Sequence, residues 1–146
     1  MLGNIAKKLR LMGFDAKYLA ERSDHMTELF ESERTLITKD LELVNKAKKR
    51  GVKTIFVTGD DELAHFKEIK QKINVRNFLI SAKHTRCTLC NGRLNSIEKS
   101  LVINKIPKNV SEKEDCFWQC VSCKKLYWQG THISHLQNFV RMLNDV

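Results

Sequence analysis

Two pairs of cysteines, Cys87-Thr-Leu-Cys90 and Cys120-Val-Ser-Cys123, repeat one spacing on either side of residues 91–119. Each C-x-x-C turn presents two sulfurs to one side, so two such turns supply a tetrahedral set. Zn²⁺ takes four thiolates at ~2.3 Å, and a closed sulfur shell leaves no open coordination position for a reacting group. The chemistry predicted here is therefore a structural Zn²⁺ on Cys87, Cys90, Cys120 and Cys123. Disulfides or a redox dithiol are the rival readings, but a matched pair of knuckles around short strands favours metal. The fifth cysteine, Cys116, reads as a small buried side chain.

A second group is acidic. Asp24 stands where a helix should begin, Asp40 follows a predicted strand over 35–38, and Asp60 with Asp61 follows another over 53–58. In an open parallel sheet, ligands collect beyond the carboxyl ends of the strands, where the next helices start. Carboxylates gathered at such an edge can hold Mg²⁺ or Mn²⁺, and such ions activate water for phosphodiester hydrolysis. The competing reading is that each is a helix N-cap, a place Asp prefers because its oxygen accepts a free backbone N–H. Convergence of the group is what the metal reading requires.

The elements that must position these residues alternate. Leu2, Ile5, Leu9 and Met12 recur at helical spacing up to Gly13, a helix stop. A short strand is expected over 16–19, a helix from Ser23 or Asp24 to about Ser32, a strand over 35–38, and a long helix from Lys39-Asp40 to Gly51. The KTIFVT strand over 53–58, a helix carrying Leu63, Phe66, Ile69 and Ile73, and a last strand over 77–80 complete the series. Strand and helix in alternation define an α/β fold with a parallel sheet flanked by helices. Beyond Ser81 the pattern changes to paired cysteines and short strands, which sets a boundary near Ala82. The expected domains are residues 1–82, α/β, and residues 83–146, a zinc ribbon with a C-terminal helix over Ile133, Leu136, Phe139, Val140 and Leu143. So small a second domain needs a staple, and the metal is that staple.

Taken together, the stretches MLGNIAKKLRLMGFDAKYL, SDHMTEL, RTLITKDLEL, CTLC, CVSC and LYWQGTH closely resemble the Mut-seven C-terminal RNase domain family, in order and over nearly the whole chain. The resemblance implies a PIN-like nuclease fold joined to a zinc ribbon. It also implies a metal-dependent ribonuclease whose acidic site maps onto Asp24 and Asp40, with Asp60 or Asp61 as a further member and Thr38 as a polar neighbour. The family's opening strand ends in an acidic residue just before the stretch matching Met1-Leu2-Gly3. The expectation is therefore a sheet without its first strand and a site short of one carboxylate.

Charge and composition bear on partners. Lys and Arg outnumber Asp and Glu by 26 to 17, a formal charge of +9 that favours polyanions, and RNA is the expected partner. Lys7, Lys8 and Arg10, and Lys46, Lys49, Arg50 and Lys53, are clusters that can follow a phosphate backbone or simply face water. Phe117, Trp118, Tyr127 and Trp128 either stack bases or fill the ribbon's core. His132 and His135 read as packing or phosphate contacts rather than ligands. No apolar run approaches the roughly 20 residues that span a bilayer, so no membrane is expected. Paired thiols suited to metal point to a reducing, cytoplasmic setting. The alternative function is a non-catalytic RNA-binding or protein-interaction module in which the carboxylates are only caps.

Overall fold

The computed structural model describes residues 2–19, 27–28 and 33–145, which fall into two compact units. One unit comprises residues 2–5 and the described residues from 18 to 77; the other comprises residues 6–17 and 78–145.

The first unit is a minimal α/β arrangement. Strand β1 (Leu36–Thr38) pairs in parallel with β2 (Thr54–Phe56), in the register Leu36 with Thr54 and Thr38 with Phe56. Parallel strands need a crossover, supplied here by helix α2 (Leu41–Lys49), which packs on both. Helix α2 ends because Gly51 adopts φ +76°, so that Gly51 N–H reaches Lys48 O and Val52 N–H reaches Ala47 O. That pairing closes the last free carbonyls of the helix. Helix α3 (Glu62–Ile73) packs against β2. The core of this unit comprises Val44, Ala47, Val52, Ile55, Val57, Phe66 and Ile69, all buried.

This is the expected fold class, a parallel sheet flanked by helices, with fewer paired strands than the periodicity suggests. Residues 16–19 and 77–80 form no strand and pair with no strand among the described residues. For the second stretch the reason is visible: Asn144 Oδ1 accepts from Phe78 N–H at 2.9 Å, and Asn144 Nδ2 donates to Phe78 O at 2.8 Å. A side-chain amide satisfies the backbone groups that a neighbouring strand would otherwise take. The helix expected from Ser23 or Asp24 lies largely outside the described residues, and so does Asp24 itself.

The second unit is built around an antiparallel sheet, β3 (Leu94–Ile97), β4 (Phe117–Cys120) and β5 (Leu126–Trp128), in that order. Between β3 and β4 run two short helices, α4 (Lys99–Val102) and α5 (Lys108–Lys113), joined through a 3₁₀ turn at Ile103–Lys105. Helix α6 (Thr131–Asn144) closes the chain and buries Leu136, Val140 and Leu143. Helix α1 (Leu2–Leu11) gives its last two turns to this unit. It ends at Gly13, φ +90°, with Phe14 N–H bonded to Leu9 O and Gly13 N–H to Arg10 O. Cys116, just before β4, is exposed rather than buried.

Candidate metal centre and carboxylate edge

The four cysteines meet. Their sulfurs all lie within 4.8 Å of one another, with Cys87 Sγ to Cys123 Sγ at 3.6 Å and Cys90 Sγ to Cys120 Sγ at 3.4 Å. Four sulfurs bound at ~2.3 Å around one ion stand about 3.8 Å apart, so the set has the dimensions of a tetrahedral metal site. Two tight turns make it. After each, one residue takes the left-handed conformation, Asn91 at φ 66° and Lys124 at φ 65°. The chain thereby turns back, and Cys87 N–H bonds to Gly92 O while Cys120 N–H bonds to Lys125 O. Gly92 packs directly on the sulfurs: a Cβ there would stand 2.8 Å from Cys120 Sγ and 3.2 Å from Cys90 Sγ.

Backbone and hydroxyl donors surround the cluster. Burial raises the Cys87 thiol, but the Tyr127 hydroxyl, the N–H groups of Cys90 and Leu89, and Cys123 outweigh it and draw it down to about 6. Burial likewise raises Cys120, and the N–H groups of Cys123 and Ser122 with the neighbouring sulfurs bring it below the ordinary thiol value. For Cys123 the Lys125 N–H lowers the value, while burial and three adjacent sulfurs drive it the other way, up to about 12. Thiolates held by N–H groups are the form that binds metal. Among the described residues no other group of three or more His, Cys, Asp or Glu side chains is placed to hold an ion. His132 and His135 are exposed on α6, outside the sulfur set.

Two residues of this centre escape a reading by spacing. Tyr127, read as a core or stacking aromatic, places its hydroxyl 3.0 Å from Cys87 Sγ and accepts from Thr88 N–H at 3.0 Å. Arg10, read within a basic surface cluster, is only 7% exposed. Its Nη1 donates to Thr88 O at 2.7 Å, within the first knuckle.

The carboxylates are distributed differently. Because β1 and β2 run parallel, their carboxyl ends lie side by side, and Asp40 and the turn leading to Asp60 and Asp61 both follow directly. Lys39 Nζ donates to Gly59 O at 3.2 Å, joining the two connections. Asp40 caps α2, its Oδ1 accepting from Leu43 N–H at 3.1 Å, and its own N–H donates to the hydroxyl of buried Thr38 at 3.0 Å. Asp61 caps α3 through Ala64 N–H at 2.8 Å. Asp60 is exposed. Asp24 lies outside the described residues.

Helix α3 grips the turn before Asp60. Glu68 accepts from Thr58 N–H and Thr58 Oγ1, each at 2.9 Å, and from Gly59 N–H at 3.1 Å. Partial burial raises the Glu68 carboxyl, but these donors, with the neighbouring His65, hold it below the usual carboxylate value. His65, buried, donates from Nε2 to Gly59 O at 2.7 Å. A Cβ at Gly59 would stand 2.5 Å from Ala64 Cβ, so only glycine permits this approach. Nothing in the sequence marked Glu68 or His65, since their partners are backbone atoms of a turn.

A family profile described as the Mut7-C RNAse domain matches residues 1–140. The chain belongs to this family. No curated protein and no solved structure matches it significantly. Membership of the Mut7-C RNAse domain family points to ribonuclease activity, and the four-cysteine cluster is placed to hold a metal ion and is consistent with zinc. Among the described residues no helix is long and apolar enough to cross a membrane.

Proposed function

We propose that the chain is a metal-dependent ribonuclease that hydrolyses RNA phosphodiester bonds at a carboxylate-held Mg²⁺ or Mn²⁺, with a structural Zn²⁺ on Cys87, Cys90, Cys120 and Cys123. The catalytic carboxylates in this reading are Asp40, Asp60 and Asp61, together with Asp24. The ion, when bound, supplies an activated water and charge stabilisation for the leaving oxygen. The protein's own part is to hold acidic side chains at one edge and to present a basic surface, net +9, to the RNA backbone in a cytoplasmic setting.

The observation that carries the reading is the parallel register of β1 and β2, which sets Asp40 and the Gly59–Asp60–Asp61 turn at neighbouring strand ends, joined by Lys39. Asp40→Asn is a clean test, because the amide oxygen still accepts the cap bond from Leu43 N–H while the negative charge is lost. Single-stranded RNA incubated with Mn²⁺ should be cut by the wild type and about 10²-fold more slowly, or less, by the variant, at unchanged thermal stability. Equal cleavage by both would refute the assignment.

A second reading has its own observation. Asp40 and Asp61 each give a carboxylate oxygen to a helix cap, as residues without catalytic duty would. In that case the chain binds RNA in a salt-sensitive way and never cuts it, whatever metal is added.

A further inference from the structure

Arg10 is a buried cation whose side-chain hydrogen bonds run to neutral backbone carbonyls. Its Nε donates to Ala16 O at 2.7 Å, and its Nη1 to Thr88 O at 2.7 Å and Leu89 O at 3.5 Å. Among the described residues no carboxylate lies within ion-pairing distance of it, and a guanidinium cannot shed its proton. A buried charge without a counterion is costly. The carbonyls it grips, Thr88 and Leu89, are the two residues between Cys87 and Cys90.

Four thiolates around one divalent cation form a dianionic centre, and that centre is the anion which the site lacks among the described residues. The same corner carries further ties between the first knuckle and the segment from α1 to residue 17. Arg86 N–H bonds to Arg10 O at 2.8 Å, and Arg86 Nη1 donates to Asn91 O at 3.0 Å. Asn91 Nδ2 donates to Asp15 Oδ1 at 2.6 Å, while Asn91 Oδ1 accepts from Ala16 N–H at 3.3 Å. Thr85 Oγ1 donates to Leu11 O at 3.0 Å, and the Phe14 and Phe78 rings meet edge to face at 5.9 Å.

We propose that Arg10 is a positioning residue of the metal centre, balancing the charge of the metal–thiolate cluster from beneath the first knuckle, and that residues 6–17 therefore fold with the metal. The inference rests on the metal reading of the four cysteines and goes beyond it, extending the metal-dependent unit to a segment more than 70 residues away in sequence. Metal-linked folding then reaches the second half of α1 and the turn that follows. The charge of Arg10, as well as its hydrogen bonds, contributes to metal affinity.

Co²⁺ titration of the full chain tests this, since a tetrahedral cobalt–thiolate site absorbs characteristically. Wild type should give the four-sulfur spectrum. Arg10→Met should weaken Co²⁺ binding about 10-fold or more while reaching the same spectrum at saturation, as loss of an outer-shell partner does. Arg10→Lys, which keeps the charge and loses the fork, should fall between. Lys7→Met removes an exposed charge from the same helix and should leave affinity unchanged. Equal weakening by Lys7→Met, or none by Arg10→Met, would overturn the proposal. Should Arg10→Met fail to fold, hydrogen exchange on the wild type decides: residues 6–17 must lose protection on chelation together with the knuckles, and retained protection refutes the inference. A wild type that shows no cobalt–thiolate spectrum would instead refute the metal reading itself.

Discussion

The two units of this chain reach order by different physical routes. In the first, a two-stranded parallel sheet is covered by helices whose Val44, Ala47, Phe66 and Ile69 are almost wholly removed from water. In the second, three short strands and small helices bury Phe117, Val102 and Leu143, and two of the most deeply buried side chains are Cys87 and Cys120 of the four-cysteine cluster. Where apolar burial suffices, polar groups are left to shape a surface. Where it does not, cysteine sulfurs placed to hold a metal ion occupy the core, and Tyr127 and Arg10 bond to the first knuckle. The contrast explains why the acidic edge belongs to the first unit: its carboxylates lie at helix starts on a scaffold that apolar contacts already hold.

The sharpest break of this comparison is removal of the metal. Structural zinc contributes on the order of 10 kcal/mol of apparent folding free energy in small domains. Chelation should abolish exchange protection in β3, β4 and β5 while β1, β2 and α3 keep theirs, as peptide-resolved hydrogen exchange would report. Protection lost uniformly over both units would contradict a separate origin of their stability.

The converse change is Phe66→Ala, which empties the centre of the first core. Truncation of a fully buried phenylalanine costs about 3–5 kcal/mol. Denaturant unfolding followed by exchange in residues 36–73 should register that loss, while Co²⁺ affinity of the sulfur cluster stays as in the wild type.

The smallest effect sharpens the account of the acidic edge. Glu68 titrates below its usual value of 4.5 in the folded chain, so its contribution is present above that pH and is lost as pH falls through the lowered value. The amide proton shifts of Thr58 and Gly59 should therefore move together below pH 4.5. In Glu68→Gln they should stay flat over the same range. Shifts that move unchanged in the variant would show that another group grips the turn.

How much of this was legible beforehand differs residue by residue. The cysteine cluster was readable because C-x-x-C is a local geometry: two sulfurs on one turn are fixed by the turn itself, and only the meeting of the two turns is left to folding. Gly13 and Gly51 were readable as helix stops for the same local reason, and both take positive φ. The strand over 77–80 was misread because its apolar pattern was right, with Phe78 buried, while the partner that satisfies its backbone is the amide of Asn144, 66 residues later. No periodicity encodes such a substitution.

The amino-acid sequence alone determined the family, the four cysteines that cluster, the α/β class and the positions at which helices end, because each depends on residue type and short spacing. Tertiary structure alone decided that Arg10 lies beneath a cysteine knuckle instead of on the surface, that the Tyr127 hydroxyl lies at hydrogen-bond distance from Cys87 Sγ, and that Glu68 and His65 hold the turn before Asp60. Those roles come from contacts with backbone atoms and distant side chains. A hydrogen bond to a carbonyl leaves no mark on the identity of the residue that carries it.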